Sequence, residues 1–412
     1  MGGWKTKAIG EVCTIKPPKA EAKAKLADGD EVSFAPMEDL GIGEKYLQPR
    51  RTRRLGEVNG SYTYFADGDV LLAKITPCFE NGKLGVARGL TNGIGFGSSE
   101  YIVLRPGAAL DAEFLYYYLA QPTFKEEGAR SMTGAVGHKR VTKEFVEGYS
   151  IPLPPLPEQR RIVVILDGAF EAIATAKANT EKNLQNAREV FASALAESFP
   201  SSDESVSVAE LSVSVSDGDH SPPPKAASGV PFITISNVDK ETREIDFTST
   251  FAVPRQYFES LKSQRRPQDG DVLYTVTGSF GIPILVEGDE EFCFQRHIGL
   301  IRPRPDVNSR WLTYALLSPT AFAQADAGAT GTAQRTVSLG TLRALRLPKV
   351  SGDLQRQHAD RLDKLEAEVR RLKRLARTKL AALDELKKCL LYQAFTGALT
   401  AKSTDQQLEA VA

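Results

Sequence analysis

Six stretches of this chain occur twice, in the same order, and that repetition limits the possible folds more than anything else in the sequence. "ADGDVLLAKI" (66–75) returns as "QDGDVLYTVT" (268–277). "VSFAPMEDL" (32–40) matches "VPFITISNV" (230–238), and "YIVLRP" (101–106) matches "IGLIRP" (298–303). "FLYYYLAQPT" (114–123) matches "WLTYALLSPT" (311–320), and "HKRVT" (138–142) falls opposite "QRTVS" (334–338). Last, "PEQRRIVVILD" (157–167) falls opposite "DLQRQHADRLD" (353–363). One short match is noise, but six in register are a duplication, so the 412 residues must build one structural unit twice.

Each copy has two parts. The first mixes short β-rich runs with Gly and Pro punctuation. "DVLLAKI", "YIVLRP" and "GYSIPL" have strand composition, and "DAEFLYYYLA" has that of a short helix, which together predict an α+β domain. The second part has helical periodicity. In the first copy the seam runs through Val163, Leu166, Phe170, Ile173, Ala176, Thr180, Leu184, Ala187, Phe191 and Ala194. In the second it runs through Leu362, Leu365, Val369, Leu372, Ala376, Lys379, Leu383, Leu386 and Leu390. Pro157 suits the first turn of the first helix, whose N–H groups lack partners anyway. Ser351 or Asp353 can cap the second. Phe199-Pro200 ends the first helix and Gly397 the second.

The expected domains are 1–155, a helical segment 156–200, a second domain 201–350, a helical segment 351–400 and a tail 401–412. A helix of roughly 42 residues is ~60 Å long, and a seam of that length asks for a partner helix along its course. The expected fold class is α+β: two similar α/β domains held apart by a long antiparallel two-helix coiled coil, with an internal pseudo-two-fold repeat. The alternative is that each helix packs only on its own domain.

The chemistry expected of an enzyme is missing. No phosphate-binding loop, zincin or nucleophile-elbow motif occurs. "GIGFG" (93–97) reads as a turn, and the acidic "EGDEEF" (287–292) as a solvated loop. Cys13, Cys78, Cys293 and Cys389 are isolated and form no zinc pattern with the four histidines. His138 and His297 differ in place between the copies, so neither reads as an essential acid–base group. No signal peptide or membrane-length apolar run is evident, and "MGGWKT" matches the myristoylation pattern only over its own six residues. Unpaired thiols then predict a cytoplasmic protein. Lys+Arg and Asp+Glu are both 52, so no global positive field is present, which argues against indiscriminate DNA coating but leaves local patches open.

A kept frame with divergent loops suggests two related binding modules that read different things. The loops are basic and amide-bearing: Arg50, Arg51, Arg53 and Arg54 in "RRTRR"; His138, Lys139 and Arg140 in "GHKRV"; Arg265 and Arg266 in "SQRRPQ"; Arg296 and His297 in "FQRHI"; Gln334 and Arg335 in "TAQRT". Lys74, Lys83, Thr277 and Ser279, beside the repeated "DGDVL" segments, complete the candidate DNA contacts. Arg suits guanine O6/N7 and Gln suits adenine N6/N7, while other cations sit on phosphates.

The chain resembles the specificity subunit of type I DNA restriction–modification systems over essentially its whole length. "PLPPLPEQRRIV", "DGDHSPPPKAASGVPFITISNV", "WKTKAIGEVCTI" and "LKKCLLYQAFTGALT" carry the resemblance. It implies two target recognition domains, each reading one half of a split site on double-stranded DNA. It also implies helices that set the spacer and dock two copies of an adenine-N6 methyltransferase, and a restriction subunit that joins the full complex. Catalysis, S-adenosylmethionine, ATP and magnesium would belong to those partners, and this chain would bind no cofactor itself. Gln159, Arg160, Leu383, Leu386, Leu390 and Phe395 are the expected partner-docking residues. Two departures stand out: "LPKVSGDLQRQ" lacks the proline-rich run, suggesting a differently docked second half, and Lys379 and Gln393 fall on the second seam. The rival reading is a non-catalytic coiled-coil scaffold without DNA readout.

Overall fold

A computed structural model describes residues 4–401 apart from 136, 219, 221 and 333. Gly2 and residues 402–412 of the expected tail lie outside the described residues. The chain divides into two units, one made of residues up to 180 and from 378 onward, the other of residues 181–377.

In the first unit the central strand Val70–Ala73 is buried at every residue. It lies between Tyr101–Pro106 and Leu84–Val86, and Cys13–Ile15 closes the other edge, all antiparallel. Side chains alternate across a strand, and both faces are covered. Val70, Leu72, Ile102 and Leu104 pack with Phe114 and Leu115 of the helix Ala112–Leu119. Leu71, Ala73, Tyr101 and Val103 pack instead with Phe65, Leu40 and Leu47. A second sheet has the order Arg51–Arg54, Glu31–Ala35, Ile94–Gly97, Thr63–Ala66. "GIGFG" is therefore not a turn but an interior strand of this sheet. Its Gly95 admits the Phe65 ring, which stands 2.2 Å from where a Cβ would be.

The second unit repeats the first sheet with Ser212–Asp217, Ile298–Pro303, Val272–Thr275 and Pro283–Leu285 in the same spatial order. Among the described residues its second sheet has the order Phe251–Val253, Val230–Ile233, Cys293–Phe294. The repeated "DGDV" and "RP" motifs have one physical cause. Asp69 and Asp271 are buried, and each accepts a backbone N–H from three residues earlier, at 2.8 and 2.9 Å. Each also receives a two-pronged guanidinium: Arg105 on Asp69 at 2.7 and 2.8 Å, Arg302 on Asp271 at 2.9 and 2.7 Å. A buried carboxylate is tolerated only with such pairing.

The long helices span Leu156–Ser198 and Gly352–Thr396. Ser351 caps the second, its Oγ accepting from the Leu354 N–H at 3.3 Å, and Gly397 ends it at φ 80°. Within the first unit the helices run antiparallel: Glu158 meets Thr400, Lys387 lies 4.9 Å over the Phe170 ring, and Lys177 pairs with Asp384. Within the second unit Glu197 meets Arg361 at 3.2 Å, while Phe191, Ala194 and Leu195 pack with Ala359, Leu362 and Leu365. Every seam residue predicted on the first helix is buried or half-buried. On the second helix the prediction slips after Ala376: Lys379 and Leu386 are exposed, and Leu380, Leu383 and Lys387 take the inward face.

Both domain–helix junctions use one device. Gln159 is fully buried. The Asp111 N–H donates to its Oε1 at 2.8 Å, and its Nε2 donates to the carbonyls of Ala109 and Pro154 at 2.9 and 2.8 Å. At the equivalent place the Asn308 N–H donates to Gln355 Oε1 at 2.8 Å, and Gln355 Nε2 donates to Val350 O at 3.3 Å. Ribbons Lys5–Ala8 with Ser150–Leu153, and Ser205–Ser207 with Arg346–Pro348, precede the two junctions. The second half thus docks its helix as the first does, without the proline run. Tyr117 adds a hydroxyl donated to Asp167, and its counterpart Tyr314 one donated to Asp363 at 2.8 Å.

Candidate nucleic-acid interface

The "HKRVT" and "QRTVS" matches mark the same loop in each unit. In the first unit the Thr76 N–H donates to Lys139 O and the Val141 N–H to Lys74 O, both at 2.9 Å. In the second the Gly278 N–H donates to Arg335 O at 3.0 Å and the Val337 N–H to Val276 O at 2.8 Å. Thr133 and Arg140 exchange backbone bonds of 3.0 and 2.8 Å, as Thr330 and Thr336 do at 2.9 and 2.8 Å. A loop is thereby clipped onto the end of the central strand while its tip stays exposed.

The turn depends on glycine. Gly134 has φ 121° and Gly331 φ 99°. A Cβ at either would lie 2.9 or 2.6 Å from a carbonyl across the loop, that of His138 or of Gln334. The Thr-Gly dipeptides 133–134 and 330–331 were missed in reading the sequence for sites, although their repetition was the available signal.

The tips differ. The first presents His138 and Lys139, both exposed; the second presents Gln334 and Arg335, also exposed. Arg140 is braced rather than free, with Nε and Nη2 each 2.9 Å from a Glu100 oxygen. Those hydrogen bonds hold the Glu100 carboxyl below its usual range, and the Lys74 charge adds to the effect. Arg335 is tied to Asp326 and lies 5.7 Å over the Phe280 ring.

The structure thus gathers Lys74, His138, Lys139 and Arg140 at one site, and Thr277, Gln334 and Arg335 at its equivalent. His297 joins the second group through its carbonyl, which accepts the Val276 N–H at 2.9 Å. Ser279 lies close by, its carbonyl accepting from Thr275 Oγ1 at 2.9 Å, and Arg296 is exposed beside His297. Lys74 Nζ donates to Ser99 O at 3.0 Å.

The other cations stand elsewhere. Arg51–Arg54 is an edge strand of the second sheet, with Arg51 on Glu38 at 3.3 Å, Arg53 stacked 4.2 Å over Phe34, and Arg54 exposed. Arg50 lies 3.8 Å from buried Asp39, and Lys83 donates to Met37 O at 2.7 Å. Arg265 reaches Asp217 at 3.3 Å and Arg266 stacks 5.8 Å over Phe258.

Among the helix residues expected to dock partners, three pack within their own unit. Gln159 is wholly engaged in its own unit. Phe395 packs edge-on against Phe114 and Tyr118, each at 5.0 Å, and Leu390 lies on the same core. Leu383 is half-buried on the seam, whereas Leu386 and Arg160 are exposed. Among the described residues no group of three or more His, Cys, Asp or Glu can hold a metal ion, and no helix is long and apolar enough to cross a membrane.

The family model for the type I restriction modification DNA specificity domain matches residues 1–186. That match covers somewhat less than half of the chain. The specificity domain so defined covers the first copy of the duplicated frame and part of the first long helix. Over 163 residues the chain is 40% identical to the type I restriction enzyme EcoEI specificity subunit of Escherichia coli, and over 164 residues 37% identical to the EcoAI specificity subunit. Each match spans 39% of this chain and 27% of the relative. In fold, nearly the whole chain is similar to the HsdS subunit of Thermoanaerobacter tengcongensis, with a TM-score of 0.66 at 20% identity, covering 97% of this chain and 98% of that one. A chain from a structure of type I R-M system assembly aligns with a TM-score of 0.75 at 21% identity, covering 97% and 99%.

Proposed function

We propose that this chain is the DNA-specificity subunit of a type I restriction–modification complex and has no catalytic centre of its own. Each unit reads one half of a bipartite site on double-stranded DNA. The observation that carries this is the clipped loop: one backbone frame, built twice, offers His138-Lys139 in one copy and Gln334-Arg335 in the other. Frames that are kept while their tips change suit two related readers of different sequences. Lys139 suits a phosphate or guanine, and Gln334 with Arg335 suits an adenine–guanine pair of contacts. The arginine edge Arg51–Arg54 and the cations Lys74, Arg265 and Arg296 would contact backbone phosphates.

Two adenine-N6 methyltransferase subunits dock on the long helices, with Arg160 and Leu386 among the contacts, and a restriction subunit joins them. S-adenosylmethionine, ATP and magnesium are held by these partners. The test is the methylome of a host carrying the chain with its methyltransferase. A bipartite adenine-methylated motif is expected, and alanine at His138 and Lys139 should relax one half-site while leaving the other intact. A complex that methylates without a bipartite motif, or variants that shift both halves together, would overturn the reading.

A further inference from the structure

Each unit carries an arm that nothing above assigns. In the first, the connection between the paired strands Glu31–Ala35 and Arg51–Arg54 forms a loop closed by the Gln48 N–H on Asp39 O at 3.4 Å. In the second, the connection between Val230–Ile233 and Phe251–Val253 is closed at the equivalent place by the Asp246 N–H on Asn237 O at 2.7 Å. The two arms share no obvious sequence, yet each reaches its own unit's long helices through a cation at the same position.

Lys45 is the first of these. Its Nζ donates to Glu113 at 2.6 Å and to both Asp167 oxygens at 2.7 Å, and only 15% of its side chain is exposed. Asp167 lies on the first long helix and also receives the Tyr117 hydroxyl. Neighbouring Tyr46 donates to Glu113 Oε1 at 2.7 Å. Arg243 is the second. It pairs with Glu366 of the second long helix, and 13% of its side chain is exposed. It also holds φ 57°, an unfavourable conformation for a residue with a Cβ. Around it Arg370 donates to Glu244 at 2.8 Å and to Thr242 O at 3.0 Å, while Glu241 binds both Arg188, at 3.0 Å, and Lys373. Arg188 and Lys373 belong to different long helices, so this arm tip grips both.

We infer that Lys45 and Arg243 are positioning residues for DNA readout: each fastens the strand pair of its recognition unit to the helices of that unit and so fixes the angle at which the unit meets its half-site. In the first unit the strand fixed in this way is the arginine edge Arg51–Arg54, which the arm enters directly. The inference deepens the proposed function and rests on it for its DNA readout. The arm–helix coupling is measurable without DNA.

Amide exchange of the full chain is measured first, for wild type, Lys45→Met, Arg243→Met and the milder Glu241→Gln, whose side chain is half exposed. Exchange should rise at least tenfold in the arm and in the strand it enters, and only in the unit carrying the substitution. Lys45→Arg should restore most of the protection. The methylated motif is then read from the complex with its methyltransferase. Lys45→Met should degrade discrimination in one half-site and Arg243→Met in the other, whereas general destabilisation would lower total methylation and leave both halves equally sharp. Unchanged exchange in all three variants would overturn the inference, as would altered exchange with both half-sites still sharp. If the wild-type complex yields no bipartite motif, the proposed function falls, and the exchange data still decide whether the arms are fastened by these cations.

Discussion

Replacing Gln159 by Met keeps the side chain's length and most of its volume but removes its amide. Three hydrogen bonds disappear, and two backbone carbonyls and one N–H lose the partner that a fully buried side chain gave them. A net contribution of about 1 kcal/mol for each such bond gives a loss of about 3 kcal/mol for the first unit. The same change at Gln355 removes two bonds, one of them long at 3.3 Å, and should cost about 1.5 kcal/mol. In a unit of this size each kcal/mol moves the melting midpoint by about 2–4 °C. Scanning calorimetry should therefore place the first unit's transition about 6–12 °C lower in Gln159→Met, and the second unit's about 3–6 °C lower in Gln355→Met. Because each amide ties its helix to its own domain, each variant should move one transition only. A loss below about 1 kcal/mol at Gln159, or an equal or larger loss at Gln355, would refute the reasoning.

Gly134→Ala and Gly331→Ala should each cost about 1–3 kcal/mol locally, opening the clipped loop to amide exchange and weakening DNA binding while far-ultraviolet circular dichroism stays unchanged. Asp69→Ala removes two guanidinium hydrogen bonds and the partner of the Ala66 N–H, leaving Arg105 paired with Glu21, and should destabilise the first unit by about 3–5 kcal/mol, measured by urea unfolding. Glu100 has a lowered pKa in the folded chain, so its pairing with Arg140 contributes fully above the unfolded carboxyl value and is lost as pH falls through the folded value. The protection of the loop amides, taken relative to their intrinsic exchange at each pH, should accordingly fall on acidification below about pH 4, and Glu100→Gln should remove that fall. Lys139→Ala should reduce the salt slope of DNA affinity by about one, measured by titration of the complex at several salt concentrations.

The frame was legible because its determinants are local and doubled. "DGDV" and "RP" recur because a buried carboxylate needs both its turn amide and its arginine, and the first helix seam is a clean 3–4 repeat of apolar residues in a polar background. The second seam misled after Ala376 because "KLAALDELKKCLL" offers leucines on more than one face, so periodicity alone cannot choose between Lys379 and Leu380. Lys387 settles the register by lying over Phe170, a contact that hydropathy counts against burial. Gln159 was visible as a repeated residue, but a polar side chain in a first helical turn carries no mark of whether it faces inward or out. The arms were illegible for a different reason: Lys45 and Arg243 sit in segments with no matching motif, and their acidic partners lie 68 to 123 residues away in sequence.

The clipped loops have a practical consequence. Their attachment uses backbone amides and a Thr-Gly pair, and those bonds do not involve the side chains at 135, 138 and 139 or at 332, 334 and 335, although Arg335 adds a tie of its own to Asp326. Those positions can be randomised as two independent cassettes in a library, with folding left to the invariant scaffold and with each cassette selected for a new address while the other is held constant.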